Sequence, residues 1–198
     1  LVPSPGVNYG SAAAKHFGVP GAMASAESAM IGRDIALALD TGARVLFQHV
    51  SSAQSVALIR AGKEMGAKIY AEVTPHHLSL TEDDVPAHGT YARMNPPLRK
   101  EADRQALIAA LANGTIDMVA TDHAPHTAEE KAREFAKAPS GITGLETAFS
   151  VCNTYLVQTG KLTPMQLVDR MSKTPAEIYG LTDRAVQAGN LARLVLLD

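Results

Sequence analysis

The eight residues Val119-Ala120-Thr121-Asp122-His123-Ala124-Pro125-His126 constrain this chain more than any other stretch. They follow Ile116-Asp117-Met118, so a short apolar run ends in an acid, two histidines and a proline. A run of that length bounded by turn residues suits a buried parallel strand. Asp122 then lies at the strand's carboxyl end, where barrels and open α/β sheets carry their chemistry. An aspartate there can ligate a metal or move a proton, and His126, beyond Pro125, can reach the same mouth from the loop. The same residues also suit an aspartate that caps the next turn, with surface histidines around it.

The rest of the chain supplies the setting for such a strand. A short helix is expected over 11–17, ending at Gly18, and a longer one over 25–39, capped by Ser25 and closed by Gly42. Alternation then begins, with a strand over 44–50, a helix over 53–65 and a strand over 68–74. A helix over 101–111, closed by Asn113-Gly114, precedes the strand that leads to Asp122. Between 75 and 100, Pro86, Gly89, Pro96 and Pro97 read as loop punctuation. Strand and helix in strict alternation predict parallel βα units.

Beyond Asp122 the segment 127–140 is charged and free of glycine, and reads as a solvated loop or frayed helix, or as a mobile lid over the site. A helix through 157, helices over 164–171 and 175–179 and a final strand over 194–198 complete the expectation. The chain has 198 residues, 46% of them hydrophobic, which predicts one domain or part of a larger one. A net charge of −2 without any basic block, and the absence of Trp, argue against a nucleic-acid partner. No apolar stretch approaches the ~18 residues of a membrane span and no leader pattern opens the chain, so the expected location is cytoplasmic. Cys152 is the single cysteine and reads as core packing within a helical pattern.

The strand ends carry polar groups where a purely structural strand would finish in turn residues. The first ends Phe47-Gln48-His49, the second Glu72-Val73-Thr74-Pro75-His76-His77, and the third at Asp122. A lone histidine in an apolar strand is ordinarily a hydrogen-bonded core residue. In a barrel, however, these three ends face one mouth, so the imidazole of His49 and the carboxylate of Asp122 can meet as ligands of one cation. His76, His77 and His123 read as strand-end packing or as support for the ligands.

The series HVSSAQSV, AEVTPHHL, MNPPLR, GTIDMVATDHAPHT and GITGLETAF closely resembles the carboxyl-terminal half of bacterial dihydroorotases of the cyclic amidohydrolase superfamily. That resemblance implies an α/β fold, the second half of a (β/α)8 TIM-type barrel over 1–181. Residues 182–198 would be the return segment and first strand of a small β-sandwich that is otherwise largely missing. It implies one or two Zn2+ ions, with His49 the histidine ligand of the sixth strand. Asp122 would be the eighth-strand aspartate that binds metal and shuttles the proton. Asn95, His126, Ser140 and Gly141 match positions that hold the substrate's ring and carboxylate, the reaction being the reversible closure of N-carbamoyl-L-aspartate to dihydroorotate.

The family's remaining ligands, a first-strand His-x-His, a bridging Asp or carboxylated Lys and a fifth-strand His, fall upstream of Leu1, so the resemblance implies part of a longer chain. A homo-oligomer and an aspartate carbamoyltransferase partner also belong to what it implies. Two other readings stand beside it: a hydantoinase, dihydropyrimidinase or allantoinase, and a non-catalytic dihydroorotase-like subunit supporting aspartate carbamoyltransferase. MNPPLR and the second histidine of DHAPH favour a carboxylated substrate, and intact His49, Asp122 and His126 count against a silent subunit.

Overall fold

The computed structural model describes residues 5–181, 186–192 and 194–196. The chain runs through α1 (Ala12–Phe17), α2 (Ala24–Thr41), β1 (Val45–Phe47), α3 (Ala53–Glu64), β2 (Ile69–Val73), α4 (Pro75–Ser79), α5 (Val85–His88) and α6 (Glu101–Asn113). It continues through β3 (Met118–Val119), α7 (Ala128–Lys131), α8 (Ala148–Cys152), α9 (Pro164–Val168) and α10 (Thr174–Ile178). The strands form one parallel sheet in the order β1-β2-β3. Parallel neighbours need a crossover, and α3 and the segment containing α6 provide the two.

Register sets the height of the strand ends. Phe47 pairs with Ala71, and Val73 with Val119, so β1, β2 and β3 finish side by side. Backbone bonds extend the pairing past the strands, from Val50 N–H to the Glu72 carbonyl and from Ala120 N–H to the Val73 carbonyl, both 3.0 Å. At the opposite end Asp117 accepts from Lys63 Nζ and from the Ala71 N–H, each at 2.8 Å, which ties α3 and β3 to the central strand.

One face of the sheet is covered by helices. Ile31, Ile35 and Ala38 of α2, Val56 and Ile59 of α3 and Leu107, Ile108 and Leu111 of α6 pack with Ala71 and Val73 of β2 in the main core. Gly62 lets α2 and α3 approach each other, since a Cβ there would lie 2.9 Å from both Ile35 Cγ2 and Ile69 Cδ1. Cys152 is wholly buried in this core, as its helical position predicts. A second cluster, including Val7, Ala13, Val85, Met94, Leu98 and Phe135, lies beneath the connecting segments.

Several expectations need correction. Ser25 does not cap α2, which starts after Met23 without a side-chain cap; Gly42 does close it, in the left-handed conformation. The segment read as loop punctuation over 75–100 holds α4, α5 and two 3₁₀ turns, Glu82–Asp84 and Gly89–Ala92. Thr74 starts α4 by accepting the His77 N–H, with Pro75 fixing the first turn. The helices expected over 164–171 and 175–179 are continuous through Asp169–Lys173. Of the final strand over 194–198, residues 194–196 join no sheet, and 197–198 lie outside the described residues, as do 182–185 and 193. Among the described residues, no helix is long and apolar enough to cross a membrane.

His77 locks α4 to the loop at Asn95-Pro96. Its Nε2 lies 3.1 Å from the Pro96 carbonyl, which can only accept, so Nε2 donates and Nδ1 accepts from the Thr74 hydroxyl at 2.7 Å. Burial lowers its pKa to about 4, and burial beside His77 and His49 lowers that of His76 to about 2. Both rings are therefore neutral in the folded chain, whereas in the unfolded chain they titrate near ~6.5. As pH falls below ~6.5 the unfolded state gains protons that the folded state refuses, so stability declines from there toward pH 4. The denaturation midpoint is expected to drop between pH 7 and pH 5, and less steeply for His77→Asn. Equal pH slopes for the two proteins would contradict a buried neutral His77.

Candidate functional site

His49, Glu72 and Asp122 meet where the three strands end. Glu72 lies within the central strand, opposite in facing to its core neighbours Ala71 and Val73, and is itself buried. His49 Nδ1 is 3.0 Å from Glu72 Oε1, and His49 Nε2 is 3.5 Å from Asp122 Oδ1. The ring N–H at Nδ1 points off the line to Oε1, so this contact is an ion pair more than an aligned hydrogen bond. The Glu72 contact raises the pKa of His49 against the effect of burial, and the charge of Asp122 adds to it.

His49 and Asp122 both have left-handed backbones, at φ 56 and φ 47. They are the two non-glycine residues with positive φ among the described residues. That conformation costs a β-carbon residue about 1 kcal/mol or more and persists where surrounding structure imposes it, often at functional sites. The turn aims each side chain across the strand ends.

A second group lies along the loop after β3. The Ser140-Gly141 dipeptide is held on several sides: His126 Nε2 donates to the Ser140 carbonyl at 3.0 Å, and Arg93 Nη1 donates to Ser140 Oγ. The Gly141 N–H donates to the Arg93 carbonyl at 2.9 Å, and Lys131 Nζ donates to the Gly141 carbonyl at 2.6 Å. Gly141 has φ 129, and a Cβ there would meet Ala124 Cβ at 2.5 Å, so no other residue fits. Asn95 is exposed on the loop anchored by Arg93 on one side and Pro96 on the other. The structure thus joins His49 with Asp122, and His126 with Ser140, while among the described residues no hydrogen bond or ion pair links Asn95 to either group.

The lid expectation for 127–140 fails on Lys131. It is buried, and its ammonium donates to three carbonyls, of Thr90, Pro139 and Gly141, satisfying all three of its protons. Phe135 and Ala138 are buried too, and Phe135 stacks on Phe17 with ring centroids 4.0 Å apart. A capping box between Thr127 and Glu130 starts α7. The segment is a packed brace and not a solvated loop.

His123 is exposed and accepts the Gly144 N–H at 3.0 Å through Nδ1, so it secures the turn before α8. His76 and Thr121 help line a cleft of about 220 Å³ with Ile142, Thr143 and Tyr155.

Residues 12–198 match the model of the Amidohydrolase family. The chain belongs to that family. Among its relatives, the dihydroorotase of Clostridioides difficile (strain 630) is 50% identical over all of this chain, which covers 47% of the relative. That of Clostridium acetobutylicum is 48% identical over all of this chain and 46% of its own length. Among solved structures, the L-hydantoinase (dihydropyrimidinase) of Arthrobacter aurescens superposes with a TM-score of 0.77 at 32% identity, over 82% of this chain and 37% of that one. The dihydropyrimidinase of Brevibacillus agri gives 0.76 at 31% identity, over 85% and 38%. The chain therefore has the α/β amidohydrolase fold and spans about half the length of the curated relatives it matches.

The spacing of His49 and Asp122 is compatible with two ligands of one ion. Two ligands each ~2.1 Å from a tetrahedral ion are about 3.4 Å apart, and the observed 3.5 Å fits that edge. Glu72 approaches Nδ1, and Nε2 faces an Asp122 oxygen at a distance that a proton or a cation between them makes favourable. No group of three potential ligands gathers among the described residues, so His49 and Asp122 would fill two corners of a site.

Glu72 was not assigned from sequence. Its signal is an acid inside a strand whose neighbours are apolar, at the level of the histidine and aspartate on either side. The brace gives a separate test by limited trypsin digestion. Cleavage is expected after exposed Arg133 and Lys137, with the bond after buried Lys131 resistant until the protein unfolds. Early cutting after Lys131 would show that the ammonium is not held.

Proposed function

We propose that this chain forms one side of the catalytic mouth of a dihydroorotase, a zinc-dependent enzyme interconverting dihydroorotate and N-carbamoyl-L-aspartate in pyrimidine biosynthesis. The observation that carries the reading is the meeting of His49 Nε2 and Asp122 Oδ1 at 3.5 Å in a chain 50% identical to a dihydroorotase. The same reading takes 1–181 as the second half of a (β/α)8 barrel and 182–198 as the return toward a β-sandwich. The parallel βα units support the first assignment. The other metal ligands would lie in sequence outside these residues. A homo-oligomer, an aspartate carbamoyltransferase partner and a cytoplasmic location belong to this reading through the family resemblance.

His49 and Asp122 would hold the zinc, which supplies an acidified water and polarises the scissile carbonyl. Asp122, in hydrolysis, takes the proton from the attacking water and returns it to the ring nitrogen as the C–N bond breaks. His126 donates through Nε2 to the Ser140 carbonyl, and its Nδ1, 3.6 Å from Glu130 Oε2, would turn from that carboxylate to the substrate's. Asn95, whose side chain is exposed at a firmly held loop, offers an amide donor and acceptor to the ring edge. The brace keeps Ser140 and Gly141 in place without a closing motion, which favours preorganised binding.

A hydantoinase or dihydropyrimidinase is the second reading, favoured by the solved structures that share this fold. The higher identity to dihydroorotases, 50% against 32%, supports the first. In the full-length enzyme Asp122→Asn is expected to lower turnover in both directions by roughly 10³-fold or more with the fold intact by circular dichroism. His126→Ala is expected to raise KM for dihydroorotate by about 10- to 100-fold, with a smaller effect on kcat. Equal, modest losses of kcat from both changes would contradict these roles.

A further inference from the structure

We infer that Glu72 is the positioning residue of the site: it selects which nitrogen of His49 faces Asp122 and holds the ring there for a metal ion. The inference rests on the functional reading above and adds a residue that touches neither substrate nor metal.

Three observations carry it. The Glu72 side chain is buried within the central strand, with 4% of its surface exposed, and among the described residues His49 is the one basic side chain within ion-pair distance of it. A buried carboxylate without a partner costs several kcal/mol, so its place in the sheet requires the imidazole, whose Nδ1 lies 3.0 Å from an Oε1 that makes no hydrogen bond. Glu72 also grips His49 through the main chain, because its carbonyl accepts the Val50 N–H at 3.0 Å immediately after the left-handed turn at His49. The same residue therefore fixes the backbone that leaves the turn and the ring that the turn carries.

The geometry then decides the tautomer. A carboxylate oxygen 3.0 Å from Nδ1 retains a proton on that nitrogen and leaves Nε2, 3.5 Å from Asp122, as the ligating atom. A negative partner behind the imidazole also increases the electron density that Nε2 gives to a cation. Glu72 cannot share the ion with His49 itself, because it approaches the opposite nitrogen of the ring.

The test uses the full-length enzyme. Zinc affinity is measured by competition with a chromophoric chelator for the wild type and for Glu72→Gln, which keeps the volume and removes the charge. Binding is expected to weaken by about 10- to 100-fold, with the wild-type denaturation midpoint retained at saturating zinc. Independently of any variant, nitrogen-detected NMR of the zinc-loaded wild type is expected to show His49 protonated at Nδ1 and metallated at Nε2. Equal zinc affinity of wild type and Glu72→Gln, or zinc on Nδ1, would overturn the role of Glu72 alone. A wild-type enzyme that takes up no zinc would overturn the functional reading and this inference with it.

Discussion

The site depends on the register between three parallel strands. Because Phe47 pairs with Ala71 and Val73 with Val119, the residues that follow β1 and β3 emerge on either side of the end of β2. A one-residue slip would turn Glu72 into the helix-covered core and send Ala71 or Val73 to the mouth, since facing alternates along a strand. The core makes such a slip costly. Ala71 and Val73 are wholly buried against the helices, and Asp117 fixes the far end by joining Lys63 to the Ala71 N–H.

Where periodicity and burial agree, the sequence was readable. The three strands, α3, α6 and the glycine closures at Gly42 and Gly114 follow from apolar runs and turn chemistry. The pairing of His49 with Asp122 was legible once the strand ends were placed in one mouth. Two features were not. Segment 75–100 is built from short turns started by Thr74, Pro75 and the capping box at Thr81, none long enough to show a helical period. Segment 127–140 looked solvated because its charges suggested water, yet Lys131 finds carbonyls that are distant in sequence or created by the loop itself. A buried lysine paired with backbone oxygens has no local sequence signature.

Glu72 was hidden for a related reason. Alternation identifies it as facing away from Ala71 and Val73, but its burial on that face, against His49, is a tertiary feature. Its partner is 23 positions earlier in the chain and reaches it through a left-handed backbone turn that is uncommon outside glycine. The left-handed conformations of His49 and Asp122 are likewise consequences of tertiary structure. Strain of this kind is retained where the fold gains from the direction in which a side chain points.

The central claim is that the two strained residues converge to share a cation. The most direct measurement is a crystal structure of the full-length protein with zinc, with the ion located from anomalous scattering at its absorption edge. Expected is a zinc ion within roughly 2.0–2.2 Å of both His49 Nε2 and an Asp122 carboxylate oxygen, with Glu72 remaining on Nδ1. Zinc bound away from both residues, with His49 still paired directly to Asp122, would contradict the claim.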